Sequence, residues 1–157
     1  MALEGSLVTM TETQLAATPT STTTPTKVAV LLREDLALWQ RLNVTAFLSS
    51  AIVGSDPSLV GEPYVDADRV SYLPMLRQPV LIFEGDEDLI RSAHTKALRR
   101  GLTMAIFTAD LFNTGNDIDN RAAVAQVATA DLDLVGIAIR GPRNAVDRTL
   151  KGARLHP

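Results

Sequence analysis

Four short apolar runs, separated by segments with helical spacing, constrain the fold of this chain most strongly. They are Val28–Leu32, Val80–Phe83, Leu102–Phe107 and Leu134–Ile139. Continuous apolar runs of this length are typical of strands that are covered on both faces. Because helices are expected between the runs, the pattern predicts a three-layer α/β/α sandwich around a small mixed or mostly parallel sheet of about four strands.

Capping and turn residues indicate where the helices begin and end. The first expected helix has Asn43 as its cap, continues to Val53 and stops at Gly54, and the second runs from its cap at Asp86 to Gly101. The third is expected from Asn116 or Asp117 to about Ala128. The fourth follows Gly141, with Pro142 as its first residue. The long connection from Ser55 to Gln78 is expected to contain a hairpin around Val65–Tyr72. Connections of this length in a compact domain are often functional.

The composition divides the chain into two regions. Between Thr11 and Thr26 half of the residues are threonine, and Glu12 is the one charged residue. Such a segment buries too little apolar surface to offset the entropy that ordering costs. We therefore predict a disordered Thr/Pro-rich tail over residues 1–26 and a single α/β domain over residues 27–157.

Several classes of site are excluded or disfavoured by the residues present. The chain contains no cysteine, so disulfides, thiolate metal sites and cysteine nucleophiles are excluded. His94 is expected on a solvated face and His156 in a frayed terminus, and neither has metal-ligand spacing with the other. The acids of the 55–78 connection lack the spacing of a cation site. We predict no metal and no cofactor.

The charge distribution bears on the partners. The 18 residues from Arg140 to Pro157 carry a net charge of +4, so the remainder carries −7 of the total of −3. A weakly acidic protein is a poor general binder of nucleic acid, because that binding depends on phosphate neutralisation. The basic segment could still hold one phosphate or carboxylate, and Arg143 is our candidate ligand-binding residue there. The plainer interpretation is a solvated basic helix.

Membrane attachment is not expected. No apolar run approaches the roughly 20 residues that a helix needs to span a bilayer. The N-terminus lacks the basic start and apolar centre of a signal peptide. The default expectation is a cytoplasmic protein, and the sequence leaves a homodimer open.

The strand end at Ile106–Gly115 is the most informative segment for function, because functional groups collect where a rigid strand gives way to a loop. Asp110 and Thr114 lie four residues apart in this turn. Asp110 could act as a general base towards a water molecule, or it could orient Thr114. Alternatively, Asp110 simply caps the turn and Thr114 bonds to the backbone, as such residues often do.

Several of these segments together resemble the type II peptidyl-tRNA hydrolases. The segments are Lys27–Asp35 and Pro79–Phe83, each followed by a helix, then Arg99–Leu102, Asp110-x-x-x-Thr114, Leu134–Ile137 with Gly141-Pro142, and Val146–Gly152 with Leu155. The chain is still more similar to a group of uncharacterised bacterial proteins, the domain-of-unknown-function family 2000, through Gly141–Val146 and the asparagine after the first strand. The resemblance implies the hydrolase fold and a site at Asp110 and Thr114.

The chain departs from the hydrolase pattern at the helix histidine, whose vicinity here reads Leu48-Ser49-Ser50, in the extra segment Asp117–Thr129, and above all at a lysine. In the hydrolases a lysine of the first helix joins the Asp and Thr of the proposed catalytic group, and here that position falls on or beside Asn43. A neutral amide cannot replace a cation. Arg41 could supply the charge and is a candidate ligand-binding residue, although arginine cannot act as a base.

Two functions remain open. The first is binding of a small ligand in the cleft near Asp110, which suits the missing lysine and the acidic balance, and tRNA is disfavoured as a partner. The second is hydrolysis of an ester or amide linkage, with Asp110, Thr114 and Asn43 as catalytic residues.

Overall fold

The computed structural model describes residues 24–156. Its strands and helices, in chain order, are β1 (Thr26–Arg33), α1 (Leu38–Ser55), β2 (Tyr64–Val65), β3 (Ser71–Tyr72), β4 (Val80–Gly85), α2 (Glu87–Arg99), β5 (Thr103–Thr108), α3 (Asp117–Ala125), β6 (Leu134–Pro142), α4 (Arg143–Thr149) and β7 (Arg154–Leu155). Short 3₁₀ turns lie at Pro57–Leu59, Ala109–Asn113 and Thr129–Asp131. The predicted tail lies outside the described residues up to position 23.

The main sheet has five strands in the order β5-β6-β1-β4-β7. The pair β1 and β4 is parallel, whereas β6 is antiparallel to both β1 and β5, and β7 is antiparallel to β4. The sheet is therefore mixed, in agreement with one of the two predicted arrangements. The fifth strand, β7, is only two residues long, so it carries no periodic pattern by which the sequence could have shown it.

The two faces of the sheet bury separate apolar clusters, which explains the continuous apolar runs. In β1, Val28, Val30 and Leu32 pack with α1, whereas Ala29 and Leu31 point to the cluster formed with α2 and α4. Successive side chains of a strand point to opposite faces, so a central strand between two such clusters is apolar at every position. The four predicted strands are confirmed for this reason.

Helix α1 begins at Leu38, six residues earlier than a cap at Asn43 predicts. Asn43 therefore lies in the second turn of the helix and is not its cap. At the true start, the Gln40 side chain accepts a hydrogen bond of 2.9 Å from the backbone N–H of Ala37. Gly54 lies inside the last turn, and the helix ends at Ser55.

The other helix limits follow the capping residues more closely. The Asp86 carboxylate accepts the Leu89 N–H at 2.8 Å, and Gly101 adopts φ +60° after α2. Asn116 caps α3, which ends at Ala125, three residues short of the prediction. Pro142 closes β6 and directly precedes α4, so it is not the first helical residue as predicted.

The predicted hairpin in the 55–78 connection is confirmed as the pair β2 and β3. Its turn is held by Asp66, whose carboxylate accepts the Val70 N–H at 2.9 Å and the Tyr72 hydroxyl at 2.8 Å. Asp56 caps the turn at Pro57–Leu59 and pairs with Arg140 at 3.1 Å. These two acids therefore have structural partners. Among residues 24–156, no helix is long and apolar enough to cross a bilayer.

Candidate functional site

A cavity of about 480 Å³ lies where β5 ends, between α1, the turn at Ala109–Asn113 and the start of α3. We call it the strand-end cavity. Trp39, Phe47, Phe107 and Phe112 form its aromatic wall, and the amide side chains of Asn43, Asn116 and Asn120 lie among its polar groups.

The aromatic wall is a connected set of rings. The ring centroids are 5.6 Å apart for Trp39 and Phe112, 5.2 Å for Phe107 and Phe112, and 6.0 Å for Phe47 and Phe107. These separations lie in the range of favourable aromatic pairs. Trp39 is nevertheless 61% exposed and Phe47 53% exposed. Large aromatic surface is thus available to a molecule that enters the cavity.

A second cavity of about 420 Å³ continues along β5 beneath α3. Phe47, Phe107 and Leu111 line both cavities, so the two are neighbouring parts of one groove. Its further wall is largely aliphatic and includes Ala105 and Val124. Helix α3 contributes no fully buried residue and covers this part of the groove only loosely. The groove therefore carries aromatic rings and amides at the strand end and a largely aliphatic wall along the strand.

Thr114 lines the strand-end cavity, but its hydroxyl already has protein partners. The oxygen lies 2.9 Å from the Leu111 carbonyl and also within hydrogen-bond distance of the Asn120 side-chain oxygen. A hydroxyl has one proton to donate. The arrangement ties the strand-end turn to α3, which is the structural role considered for this residue as the alternative to catalysis.

The structure brings together two of the three predicted catalytic residues. Asn43 projects from α1 and lines the same cavity as Thr114. Asp110 lies on the exposed side of the turn at Ala109–Asn113, outside the residues that line the cavity. The catalytic role of all three residues stays a prediction.

Arg41 lies on the other edge of α1, in the wall of a separate cavity of about 330 Å³ beside β4 and β7. Its guanidinium donates to the Leu36 carbonyl at 2.9 Å, to the Glu84 carboxylate at 2.8 Å and to the Glu34 carbonyl. Most of its five N–H groups are thereby used in holding α1 to β4. This geometry indicates a structural role, and ligand binding by Arg41 stays a prediction.

Arg143 lies far from the strand-end cavity. It is exposed at the start of α4, directly after β6. In the antiparallel pair of β5 and β6, Thr108 faces Leu134 at the cavity end, whereas Thr103 faces Arg140 at the opposite end. Any ligand bound by Arg143 would therefore occupy a different site.

The basic C-terminal segment forms several ion pairs and is not one solvated helix. Arg140 pairs with Asp56, and Arg154 pairs with Glu34 at 2.7 Å and with Glu84 at 3.2 Å. The hydrogen bond from Arg41 is the main cause that lowers the pKa of Glu84, and the charge of Arg154 adds to it.

Both predictions about the histidines are wrong. His94 is buried on the inner face of α2 with Ile90 and Ala97, and burial lowers the pKa of its ring. The His156 backbone N–H donates to the Ile82 carbonyl at 2.9 Å, and its ring nitrogen lies 3.2 Å from Arg41 Nη1, so this residue is held in place. Over residues 24–156 no group of three or more His, Asp or Glu side chains is arranged to hold a metal ion.

The sequence interpretation missed the aromatic wall and Asn120. A usable signal was present, because the chain has only seven aromatic residues, and four of them converge here. Two of these aromatics, Trp39 and Phe47, lie on α1, and two, Phe107 and Phe112, lie at the end of β5. All four indicate a site at the strand-end turn. The turn was noted for its carboxylate, whereas the cavity beside it is built from rings and amides.

Comparisons with known proteins agree with this fold. A family model described as "Protein of unknown function (DUF2000)" matches residues 26–157. A solved structure of a protein of unknown function from Agrobacterium tumefaciens strain C58 is similar, with a TM-score of 0.82 and 41% sequence identity. The match covers 84% of this chain and 98% of that chain. No curated protein matches.

Proposed function

The chain belongs to the DUF2000 family, and from the groove it builds we propose that it binds a small uncharged ligand with an apolar ring in the strand-end cavity. The observation that carries this proposal is the gathering of four of the chain's seven aromatic side chains on one cavity whose polar groups include three amides. Concave, mostly apolar sites with a few polar groups are typical of small-molecule binding.

The charge of the wall supports an uncharged ligand. Asp117 is the charged residue of the strand-end cavity, and it forms an ion pair of 3.0 Å with Arg121 one turn further along α3. Asn43, Asn116 and Asn120 each offer both donor and acceptor atoms, which suits a neutral amide, hydroxyl or ring nitrogen. A ring stacked against Trp39 and Phe47 would cover aromatic surface that now faces water.

Trp39 provides the assay, because it is the single tryptophan of the chain. Titration with benzamide, nicotinamide and adenine should produce a saturable change of Trp39 emission and raise the melting temperature. Asn43→Ala should weaken binding about tenfold, the loss expected for one hydrogen bond of about 1.4 kcal/mol. The matched control Asn144→Ala changes an exposed asparagine of α4 and should leave binding unchanged.

Two results would contradict the proposal. One is the absence of any saturable response to neutral ring compounds at millimolar concentration. The other is an equal affinity of wild type and Asn43→Ala, which would place the binding site elsewhere.

Hydrolysis of an ester or amide linkage is the second candidate function. The position of Asn43 and Thr114 on one cavity, beside Asp110, favours it, since Asn43 could donate to an oxyanion. The sheet with α1 on one face and α2 and α4 on the other supports a type II peptidyl-tRNA hydrolase-like three-layer scaffold. We rank this function second because the Thr114 hydroxyl is engaged and Asp110 lies outside the cavity wall.

A peptidyl-tRNA hydrolysis assay separates the two functions. If the chain is a hydrolase of this kind, Asp110→Ala should lower the rate by about 10²-fold or more, as removal of a general base does. The control Asp88→Ala, an exposed acid of α2, should keep the wild-type rate. Equal background release from all three proteins would leave ligand binding as the function. A cytoplasmic location remains part of this proposal.

A further inference from the structure

The second cavity of about 420 Å³ adjoins the strand-end cavity, and we call it the strand cavity. Residues of α1, β5, α3 and the turn after β5 line it. Both cavities have volumes that are typical of small-molecule sites. A ring bound in the strand-end cavity would leave the strand cavity, with its largely aliphatic wall, open to water. The size of this second space therefore indicates a ligand with a further group.

Small side chains create the strand cavity. Ala51 of α1, Ala105 of β5 and Ala125 of α3 are part of its wall. Ala105 and Phe107 are two residues apart on the face of β5 that meets α1, so this face presents a ring at the strand end and only a methyl group before it. A leucine or phenylalanine at any of the three alanine positions would occupy space that is now free. The groove is therefore open along the strand because alanine lines it.

The polar groups of the strand cavity are already engaged or lie at its junction with the strand-end cavity. The polar residues that the structure describes in its wall are Ser50, Asp117, Asn120 and Arg121. The Ser50 hydroxyl donates to the Phe47 carbonyl at 2.7 Å, and Arg121 pairs with Asp117 at 3.0 Å. Asn120 lines both cavities. The strand cavity therefore suits an uncharged, aliphatic group.

The two cavities are continuous, so one molecule can occupy both. Phe47, Phe107 and Leu111 belong to the walls of both cavities. From Phe47 to Ala51 the helix α1 rises about 6 Å, and from Phe107 to Ala105 the strand β5 runs about 7 Å. A saturated chain of about six carbons, with bonds of about 1.5 Å, covers roughly this distance. The strand cavity is therefore long enough for a short aliphatic chain.

We propose that the ligand is an uncharged ring compound that carries an aliphatic chain of about six carbons, with the ring in the strand-end cavity and the chain along β5 in the strand cavity. This inference rests on the proposed function, because it takes the position of the ring from it. Asn43 and Asn116 line the strand-end cavity alone, so the polar group of the ligand belongs beside the ring. Burial of the chain removes apolar surface of both ligand and protein from water, and affinity should therefore grow with chain length.

A homologous series of ligands tests the proposal, with benzamide and its N-propyl, N-hexyl and N-decyl derivatives as probes and Trp39 emission as the measurement. Each added methylene should tighten binding about two- to threefold, less than full burial gives, because Ala51 and Ala125 in the cavity wall are exposed to water. N-hexylbenzamide should therefore bind about 50-fold more tightly than benzamide, or better. N-decylbenzamide should gain little more, since the end of its chain would leave the cavity.

Two variants that fill the strand cavity test where the chain lies. Ala51→Phe introduces a ring from an exposed position of α1, and Ala125→Phe does so from an exposed position of α3. Each should lower the ratio of the N-hexylbenzamide and benzamide affinities from about 50 to below about 5. The matched control Ala46→Phe changes an exposed alanine of α1 outside the residues that line either cavity, and it should keep the wild-type ratio.

The possible failures are distinguishable. Saturable binding of benzamide without any gain from the hexyl chain would overturn this inference and leave the proposed function standing. No saturable response to any member of the series would overturn both. A gain from the hexyl chain that is equal in wild type, Ala51→Phe and Ala125→Phe, or that continues undiminished to N-decylbenzamide, would show that the chain lies outside the strand cavity and would also overturn the inference.

Discussion

Gly136 lies where α1 packs tightly on the sheet, and Gly136→Ala tests how the helix is placed. The residue lies in β6 between Leu32 of β1 and Phe107 of β5. A Cβ atom there would lie 2.7 Å from Val44 Cγ1 and 3.2 Å from Leu48 Cδ1. Real contacts do not reach the first distance, so something has to move.

The loss of stability depends on which side chain the added Cβ would clash with. Val44 is β-branched and fully buried, so it has no easy alternative rotamer in a helix. The strain therefore passes to α1 itself, and overpacking of this kind typically costs about 1–3 kcal/mol. Replacing glycine also restricts the unfolded chain, which returns about 0.4–1 kcal/mol. We expect a net loss of about 1–2 kcal/mol in the free energy of unfolding.

Gly54→Ala is the matched control, since it makes the same chemical change on the same helix. No atom lies within 4 Å of its added Cβ, and the residue is exposed in the last turn of α1. This variant should gain about 0.5–1 kcal/mol, because alanine favours the helix. Urea unfolding followed by circular dichroism and Trp39 emission measures both variants. If Gly136→Ala were as stable as Gly54→Ala, the close approach would not constrain the helix.

Three further predictions concern charge and capping. The hydrogen bond from Arg41 lowers the pKa of Glu84. The stability that this hydrogen bond contributes is therefore present above pH 4.5 and is lost as the pH falls through the lowered pKa of Glu84. Arg41→Met should flatten this part of the pH dependence of the urea midpoint. Burial lowers the pKa of His94, so stability should fall as the pH drops below 6.5, and His94→Gln should remove that loss in the same titration. Asp86→Ala removes the acceptor of the Leu89 N–H and should cost about 0.5–2 kcal/mol in urea unfolding, whereas Asp86→Asn should keep most of the stability. An unchanged pH profile in either of the first two variants, or a neutral Asp86→Ala, would contradict the corresponding argument.

The buried strands could be predicted from the sequence, whereas the start of α1 could not. Val28–Leu32 and Leu134–Ile139 are apolar at every position because two clusters cover the sheet, and such runs have few other structural meanings. The prediction of α1 assumed one apolar face. Leu38 and Leu42 are exposed, so the spacing of the buried positions begins only at Val44, and Asn43 directly before it resembles a cap.

His94 shows the limit of judging a position from its sequence neighbours. Ser92, Thr95 and Lys96 suggested a solvated face, but Ile90, His94 and Ala97 share one side of α2 at helical spacing and are buried together. The turn after β5, where the sequence predicts a site, adjoins the cavity, and its functional role stays a prediction. Its chemistry could not be predicted, because the rings and amides converge from α1, β5 and α3, which are distant in the chain.

The composition of α1 follows from what each side of the helix contacts. Its inner stripe of Val44, Leu48 and Ile52 faces the sheet, and Arg41 on one edge binds β4 through Glu84. Asn43 and Phe47 on the other edge line the strand-end cavity. With these three sides engaged, Arg41 is the single charged residue among the 18 of the helix, and the remaining side carries small and polar residues such as Ala46 and Ser50 beside the exposed Trp39.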